Sequence, residues 1–255
     1  MSYDTDFRWI LNQHDTLVST QNTLKDLLAG GNASEGLVIQ ALEQTGGYGR
    51  HNRAWEGGAG NLYFSFLLQP RAALSRCVTL SLVAGIALVR ALQHITHQRE
   101  GVVLKWPNDV MLGGLKCAGI LLENVPSARQ SGEVQNIVIG IGVNIASAPG
   151  EGTACVLDFI GHGPLGRAVS CEALLDRFLS LFGEAYSKWN IDGFSHLKSD
   201  FLDLTYPVGT HMSVKLPTGA VQGQFQGIEA DGSLIILCKD RKELQKITTG
   251  DVFLV

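Results

Sequence analysis

Hydrophobic and polar positions follow two different rhythms along this chain. In the first two hundred residues the apolar stretches are long and dense. Residues 61–68 (Asn-Leu-Tyr-Phe-Ser-Phe-Leu-Leu) read as a central strand, and residues 74–95 are apolar nearly all round, which predicts one deeply packed helix. Shorter apolar runs at 37–42, 102–106, 110–112, 117–125 and 137–145 predict further strands. They are joined by Pro107-Asn108, Gly113-Gly114 and a polar loop over 126–135. Residues 7–17 mix both types and read as a strand. Ser19 or Thr20 is placed to cap a helix over 21–28 that Gly30-Gly31 stops. Residues 149–166 are glycine-rich and read as irregular. Ser170 then caps an amphipathic helix with an inner stripe of Leu174, Leu175, Phe178, Leu181, Phe182, Ala185 and Trp189, and a shorter helix covers 194–204.

After Tyr206-Pro207 the rhythm becomes strict alternation. Met212, Val214 and Leu216 alternate with polar neighbours, as do Val221, Gly223 and Phe225. Asp231-Gly232 signals a hairpin before a strand at 234–238, and short strands follow at 244–247 and 251–255. The pattern predicts an α+β chain in two parts: a larger domain with a mixed sheet and packed helices over 1–205, and a small β-barrel over 206–255.

Composition narrows the class without naming it. The 255 residues carry a formal net charge of −4, which gives no electrostatic case for a general nucleic-acid binder. The N-terminus is acidic and polar, unlike a secretory signal, and the longest apolar stretch, 77–92, is shorter than a membrane span of roughly 20 residues. Five cysteines without metal-type or disulfide-type spacing read as reduced thiols. A cytoplasmic protein with no membrane and no DNA partner is therefore expected.

Three stretches stand out chemically. Gln44-Thr-Gly-Gly-Tyr-Gly-Arg-His-Asn-Arg-Ala-Trp55 packs three glycines, two arginines and an aromatic between apolar segments. It is neither a dinucleotide fingerprint, because a strand follows where a helix is needed, nor a Walker loop. Glycines let N–H groups approach an anion and arginines offer forks for phosphate or carboxylate oxygens, but an exposed loop with incidental arginines fits this stretch alone equally well. Lys105-Trp-Pro-Asn-Asp109 and then Lys116, at the mouth of an apolar strand, add two cations and a carboxylate. Ile139-Gly-Ile-Gly-Val-Asn144 is a strand whose glycines admit a close neighbour, ending in an Asn able to read an adenine edge.

Taken in order and spacing, these stretches resemble the catalytic domain of biotin protein ligases, and Ser19-Thr20-Gln21-Asn22 resembles the stretch those enzymes place near the biotin ring. The resemblance spans essentially the whole chain. Tyr48 and Asn52 stand where the family usually has Arg and Gly. It implies a class II synthetase-like catalytic domain, a C-terminal SH3-like barrel, and a short form without the N-terminal DNA-binding domain. It implies ATP, Mg²⁺ and biotin as reactants, with biotinyl-5′-AMP formed first and biotin then passed to a lysine of a biotin carboxyl carrier protein such as that of acetyl-CoA carboxylase. The oligomeric state is left open, a homodimer included.

By that resemblance, Lys116, Arg50 and Asp109 are the catalytic candidates. Ser19, Thr20, Gln21, Gln44, Tyr48, Gly49, Arg50 and Lys116 are the candidates for biotin, and Arg50, Arg53, Trp55, Lys105, Asn108 and Asn144 those for ATP. Asp109 is the one candidate metal ligand. The C-terminal domain is expected to matter for activity without contributing chemical groups. Two rival readings are a lipoate or octanoate ligase or transferase of related fold, for which Cys117 beside Lys116 superficially offers a nucleophile, and a non-catalytic biotin or nucleotide sensor.

Overall fold

A computed structural model describes residues 7–126, 134–161, 169–217, 219–239 and 242–254. Part of the predicted 126–135 loop and of the 149–166 segment lies outside the described residues. The first sheet has seven strands: β1 (Ile10–Leu17), β2 (Leu37–Gln44), β3 (Leu62–Leu68), β4 (Val102–Lys105), β5 (Asp109–Leu112), β6 (Leu115–Asn124) and β7 (Ile137–Val143). Their spatial order is β1-β2-β3-β7-β6-β5-β4, with β1 and β2 parallel and every other pair antiparallel. The parallel pair needs a crossover, which α1 (Thr20–Ala29) supplies.

Both faces of this sheet are covered, and that explains why β3 alternates so weakly in sequence: all seven of its residues are buried. On one face, Leu24 of α1 packs with Leu37, Ile39, Leu67 and Val138 in a small core. The opposite face carries the main core. There Phe64 and Phe66 meet Phe178 and Phe182 of α5 (Cys171–Asp192) in edge and tilted contacts. Each such ring, taken fully out of water, stabilises the fold by roughly 1.5–3 kcal/mol. Ser170 caps α5 as expected, accepting a hydrogen bond from Ala173 N–H at 3.0 Å.

The helix expected over 74–95 is broken into α2 (Leu74–Cys77) and α3 (Leu80–Thr96). Thr79 causes the break: its hydroxyl donates back to the Arg76 carbonyl at 2.7 Å and accepts from Trp189 Nε1 at 2.8 Å, which tightens the turn there. By length and composition alone Leu74–Thr96 could cross a membrane, yet its apolar window is 67% buried inside the protein, as a core helix would be. A short helix missed by the sequence pattern, α4 (Val156–Ile160), falls in the stretch expected to be irregular. Leu197 ends a 3-10 turn and α6 (Lys198–Leu204) follows.

The second sheet holds β8 (His211–Leu216), β9 (Gly219–Ile228), β10 (Leu234–Cys238), β11 (Leu244–Ile247) and β12 (Asp251–Leu254). All its ladders are antiparallel, in the order β11-β10-β9-β8-β12, consistent with an SH3-like unit. No ladder joins β11 to β12 among the described residues, so the expected barrel is an open sheet here. The β9–β10 turn is where Asp231-Gly232 predicted it, with Gly232 at φ 81°. Its tip meets the first sheet's layer: Trp106 Nε1 donates to the Gly232 carbonyl at 2.9 Å, and a methyl at Gly232 would lie 3.0 Å from Leu82. That contact brings β12 to the edge of the candidate site.

Candidate active site

All fourteen residues nominated from the sequence line one cavity of about 400 Å³. It opens between α1, the glycine loop, β5–β6, β7 and β12. Its floor is a relay of polar groups on the α1 side of the sheet. Gln44 Oε1 accepts from Thr20 N–H at 2.8 Å and from the Thr20 hydroxyl at 3.2 Å. The Thr20 and Ser65 hydroxyls are 2.9 Å apart, and Ser65 Oγ donates to Gln21 Oε1 at 2.9 Å. Gln21 Nε2 donates on to Glu123 at 2.8 Å. Ser19 is the N-cap residue of α1, but its side chain makes no cap bond and lies in the cavity wall instead. Ser65 escaped the sequence reading. Its signal was a single hydroxyl inside the aromatic run Leu-Tyr-Phe-Ser-Phe-Leu-Leu, completely buried, where only a polar partner could satisfy it.

The glycine loop folds as a hairpin rather than as a nest of converging N–H groups. Gly49 N–H goes to the Arg53 carbonyl at 2.8 Å and Trp55 N–H to the Gly47 carbonyl at 2.9 Å. The turn at its tip takes positive φ at His51 (58°) and Asn52 (55°), so the Asn at position 52 sits in the backbone region that glycine would favour. Arg50 is gripped from two sides: its Nη1 donates to Asn108 Oδ1 at 3.3 Å, to the Gly250 carbonyl at 3.4 Å and to Asp251 at 3.3 Å. Arg53 reaches the other oxygen of Asp251 at 3.0 Å. Burial works to raise the Asp251 pKa, but the hydrogen bond from Arg53 and the charges of Arg50, Arg53 and His51 outweigh it and hold the carboxyl below its usual range.

Asp251 is thus a charged group that the second sheet contributes to the site, contrary to the expectation that the C-terminal part would offer none. Val252 and Phe253 line the cavity beside it. One acidic residue in a short terminal strand carries no sequence signal of its own.

Across the cavity Asp109 lies between two ammonium groups, Lys116 Nζ at 2.6 Å and Lys105 Nζ at 3.2 Å. A bulge makes this possible. Val110 pairs with Ala118 but Met111 pairs with Lys116, so Cys117 is an extra residue on β6. The slip sends Lys116 to the face of Gly119 and leaves Cys117 fully buried, with Sγ 3.5 Å from the Asn144 carbonyl. Burial, followed by the influence of Cys155, pushes the Cys117 thiol up to about 12. A nucleophilic thiolate is not available there.

The paired glycines Gly119 and Gly142 make room for the Trp55 indole, which lies against both strands; a methyl at Gly142 would fall 2.4 Å from Trp55 Nε1. Gly140 likewise admits Gln21 Oε1. Lys116 Nζ stands 5.4 Å from the indole ring centroid. Two buried polar atoms of this wall find no hydrogen-bond partner among the described residues, Trp55 Nε1, a donor, and Asn144 Oδ1, an acceptor. Buried polar atoms of that kind are costly unless a ligand supplies the missing groups. Asn108 Nδ2 donates to the Ile120 carbonyl at 2.7 Å while its Oδ1 accepts from Arg50.

Set against known proteins, residues 15–144 match the Biotin/lipoate A/B protein ligase family, and residues 209–255 match the Biotin protein ligase C terminal domain. A biotin--[acetyl-CoA-carboxylase] ligase of Paracoccus denitrificans is 34% identical over 78% of this chain and 82% of its own length. The bifunctional ligase/repressor BirA of Bacillus subtilis is 29% identical over 94% of this chain and 72% of its own. The structure of biotin protein ligase from Aquifex aeolicus in complex with biotin and ATP superposes with a TM-score of 0.79 at 28% identity, covering 96% of this chain and 98% of that one. The chain belongs to the biotin/lipoate A/B protein ligase family. Within that family it is a ligase of the biotin protein ligase group.

Proposed function

We propose that this ligase joins biotin to protein in two steps. A carboxylate oxygen of biotin attacks the α-phosphorus of ATP, giving biotinyl-5′-AMP and releasing pyrophosphate. The ε-amine of a lysine on a biotin carboxyl carrier protein, the kind found in acetyl-CoA carboxylase, then attacks the acyl carbon. AMP leaves, and the amine gives up its proton. The observation that carries this reading is the arrangement of charge around one cavity: Arg50 and Arg53 on one wall, Lys105 and Lys116 about Asp109 on the other, and an uncharged polar floor between them.

Two anions must meet for the first step, and fixed cations in a partly desolvated site lower that barrier. Lys116 neutralises the carboxylate as it approaches the α-phosphate, and Lys105 takes phosphate charge. Arg50 and Arg53 exchange Asp251 for the substrate's oxygens. Trp55 and Asn144 receive the adenine through their unpartnered Nε1 and Oδ1. Ser19, Thr20, Gln21, Gln44 and the Tyr48–Gly49 backbone face the ureido ring. Mg²⁺ would arrive with the triphosphate and be held mainly by its oxygens, since no group of three His, Cys, Asp or Glu side chains converges among the described residues. Asp109 would join it only after a lysine has moved to phosphate.

A lipoate or octanoate would leave the floor of hydroxyls and amides facing an alkyl chain. A thioester-using transferase would need the thiolate that burial denies Cys117. We also read the chain as a cytoplasmic enzyme without a DNA partner. The deciding experiment is pyrophosphate exchange into ATP in the presence of biotin, lipoate or octanoate. Exchange should require biotin; equal exchange with octanoate would overturn the reading.

A further inference from the structure

The Tyr48 side chain takes no part in the reaction outlined above, yet its hydroxyl takes part in three hydrogen bonds, as many as Arg50 makes. Its hydroxyl accepts from Lys25 Nζ at 2.7 Å. Its proton is shared between Glu123 Oε2 at 3.0 Å and Asn22 Oδ1 at 3.1 Å. Lys25 and Asn22 belong to α1, and Glu123 to β6. Lys25 Nζ also bonds Glu123 directly at 3.2 Å and stands 5.4 Å from the centre of the tyrosine ring. One phenol therefore ties the loop hairpin to both elements that frame the polar floor.

The tie continues inward. The Glu123 oxygen that accepts from Tyr48 also accepts from Gln21 Nε2, and Gln21 Oε1 accepts from Ser65. Burial raises the Tyr48 pKa, opposed by the Lys25 hydrogen bond and supported by the Glu123 charge, so the phenol keeps the proton this arrangement needs.

We infer that Tyr48 is a positioning residue: its hydroxyl latches the glycine loop onto α1 and β6 before any ligand arrives and, through Glu123, sets the orientation of the Gln21 amide at the floor of the ligand pocket. The inference rests on the biotin reading for the identity of that ligand. Pre-ordering the loop means that binding does not have to supply the cost of ordering it. The latch is local, built from partly exposed side chains, so it governs the loop and not the core.

Tyr48→Phe keeps the ring and removes only the hydroxyl. Two measurements test it. Trypsin cleaves after Arg50 and Arg53, at the tip of the loop. The ligand-free variant should be cut there about tenfold faster than wild type, in line with loss of at least one charge-assisted hydrogen bond. In pyrophosphate exchange, KM for biotin should rise about tenfold while kcat falls by less than about threefold, a split that general destabilisation does not produce. Lys25→Met, which removes the ammonium from the same hub and leaves the ring in place, should shift both readouts in the same direction. It also provides the test should Tyr48→Phe fold poorly. Tryptic cleavage at the wild-type rate in the folded variants overturns the latch. Faster cleavage with unchanged KM overturns the link to the pocket floor. Proteolysis reads the latch whether or not biotin is the substrate, so failure of the latch and failure of the biotin assignment give different results.

Discussion

The task proposed for Lys116 comes from its surroundings. In water its ammonium would be an ordinary surface cation. Here the bulge at Cys117 aims it across the cavity, Asp109 holds it at 2.6 Å, and the Trp55 ring lies beside it. Removing it does not strand its partner, because Lys105 still neutralises Asp109 at 3.2 Å. Lys116→Ala is therefore expected to leave the melting temperature nearly unchanged while slowing biotin-dependent pyrophosphate exchange by roughly 10²–10³-fold, the usual cost of losing a charge at a reacting junction. A variant that exchanges at close to the wild-type rate would make Lys116 a bystander. Gly142→Ala tests the neighbouring wall. The added methyl would collide with the indole at 2.4 Å, in a strand backbone that alanine otherwise tolerates. The indole must move, and KM for ATP should rise, with KM for biotin less affected; equal changes in both would show that Trp55 does not serve the nucleotide.

At the scale of elements, the glycine loop would join the two halves of the proposed reaction. Arg50 is held by Asn108 on one side and by Gly250 and Asp251 on the other, and its fork would span the acyl and phosphate oxygens of the mixed anhydride. Arg50→Gly removes charge-assisted hydrogen bonds of about 1.5–3 kcal/mol each, or a tenfold or greater increase in escape if the loss falls on dissociation. The variant should label unrelated lysine-rich protein more heavily per pyrophosphate released; an unchanged ratio would show that Arg50 does not retain the intermediate. The loop also shows what the sequence could and could not reveal. Its glycines, Arg50, Arg53 and the left-handed Asn52 were legible because residue type alone restricts what such a stretch can do. The hairpin pairing of Gly49 with Arg53 was not, since it depends on where the strands on either side diverge. The same division holds elsewhere. The strands at 61–68 and 137–145 were readable from dense apolar runs. The break at Thr79 was not, because it arises from Trp189, 110 residues away. Ser65 and Glu123 became functional candidates only when register brought them against α1.

For the whole molecule, the question is what holds the second sheet against the site. Polar contacts that do so include the Trp106 bond to the tip of the β9–β10 turn and the Arg50 bond to the Gly250 carbonyl, which are indifferent to pH, and the clasp of Asp251 by Arg50 and Arg53, which is not. The carboxyl of Asp251 is held below its ordinary range in the folded protein, so folding favours its ionised form. The sign follows from linkage. A depressed carboxylate contributes its full stabilisation above its unfolded pKa of about 3.9 and loses it as pH falls through the lower folded value. Arg53 is largely exposed, which limits the size of the effect by solvent screening. Asp251→Asn should therefore melt below wild type at pH 7, and the gap should narrow as pH falls below about 4 until the two curves meet once the wild-type carboxyl is protonated. Added salt should narrow the gap at pH 7 as well, because the clasp sits at the cavity mouth. Paired thermal melts of the two proteins from neutral to acid pH measure this directly. A gap that stays constant across that range would mean that contacts indifferent to pH, such as the Trp106 bond to Gly232 and the Arg50 bond to Gly250, hold the second sheet, and that Asp251 contributes nothing through its charge.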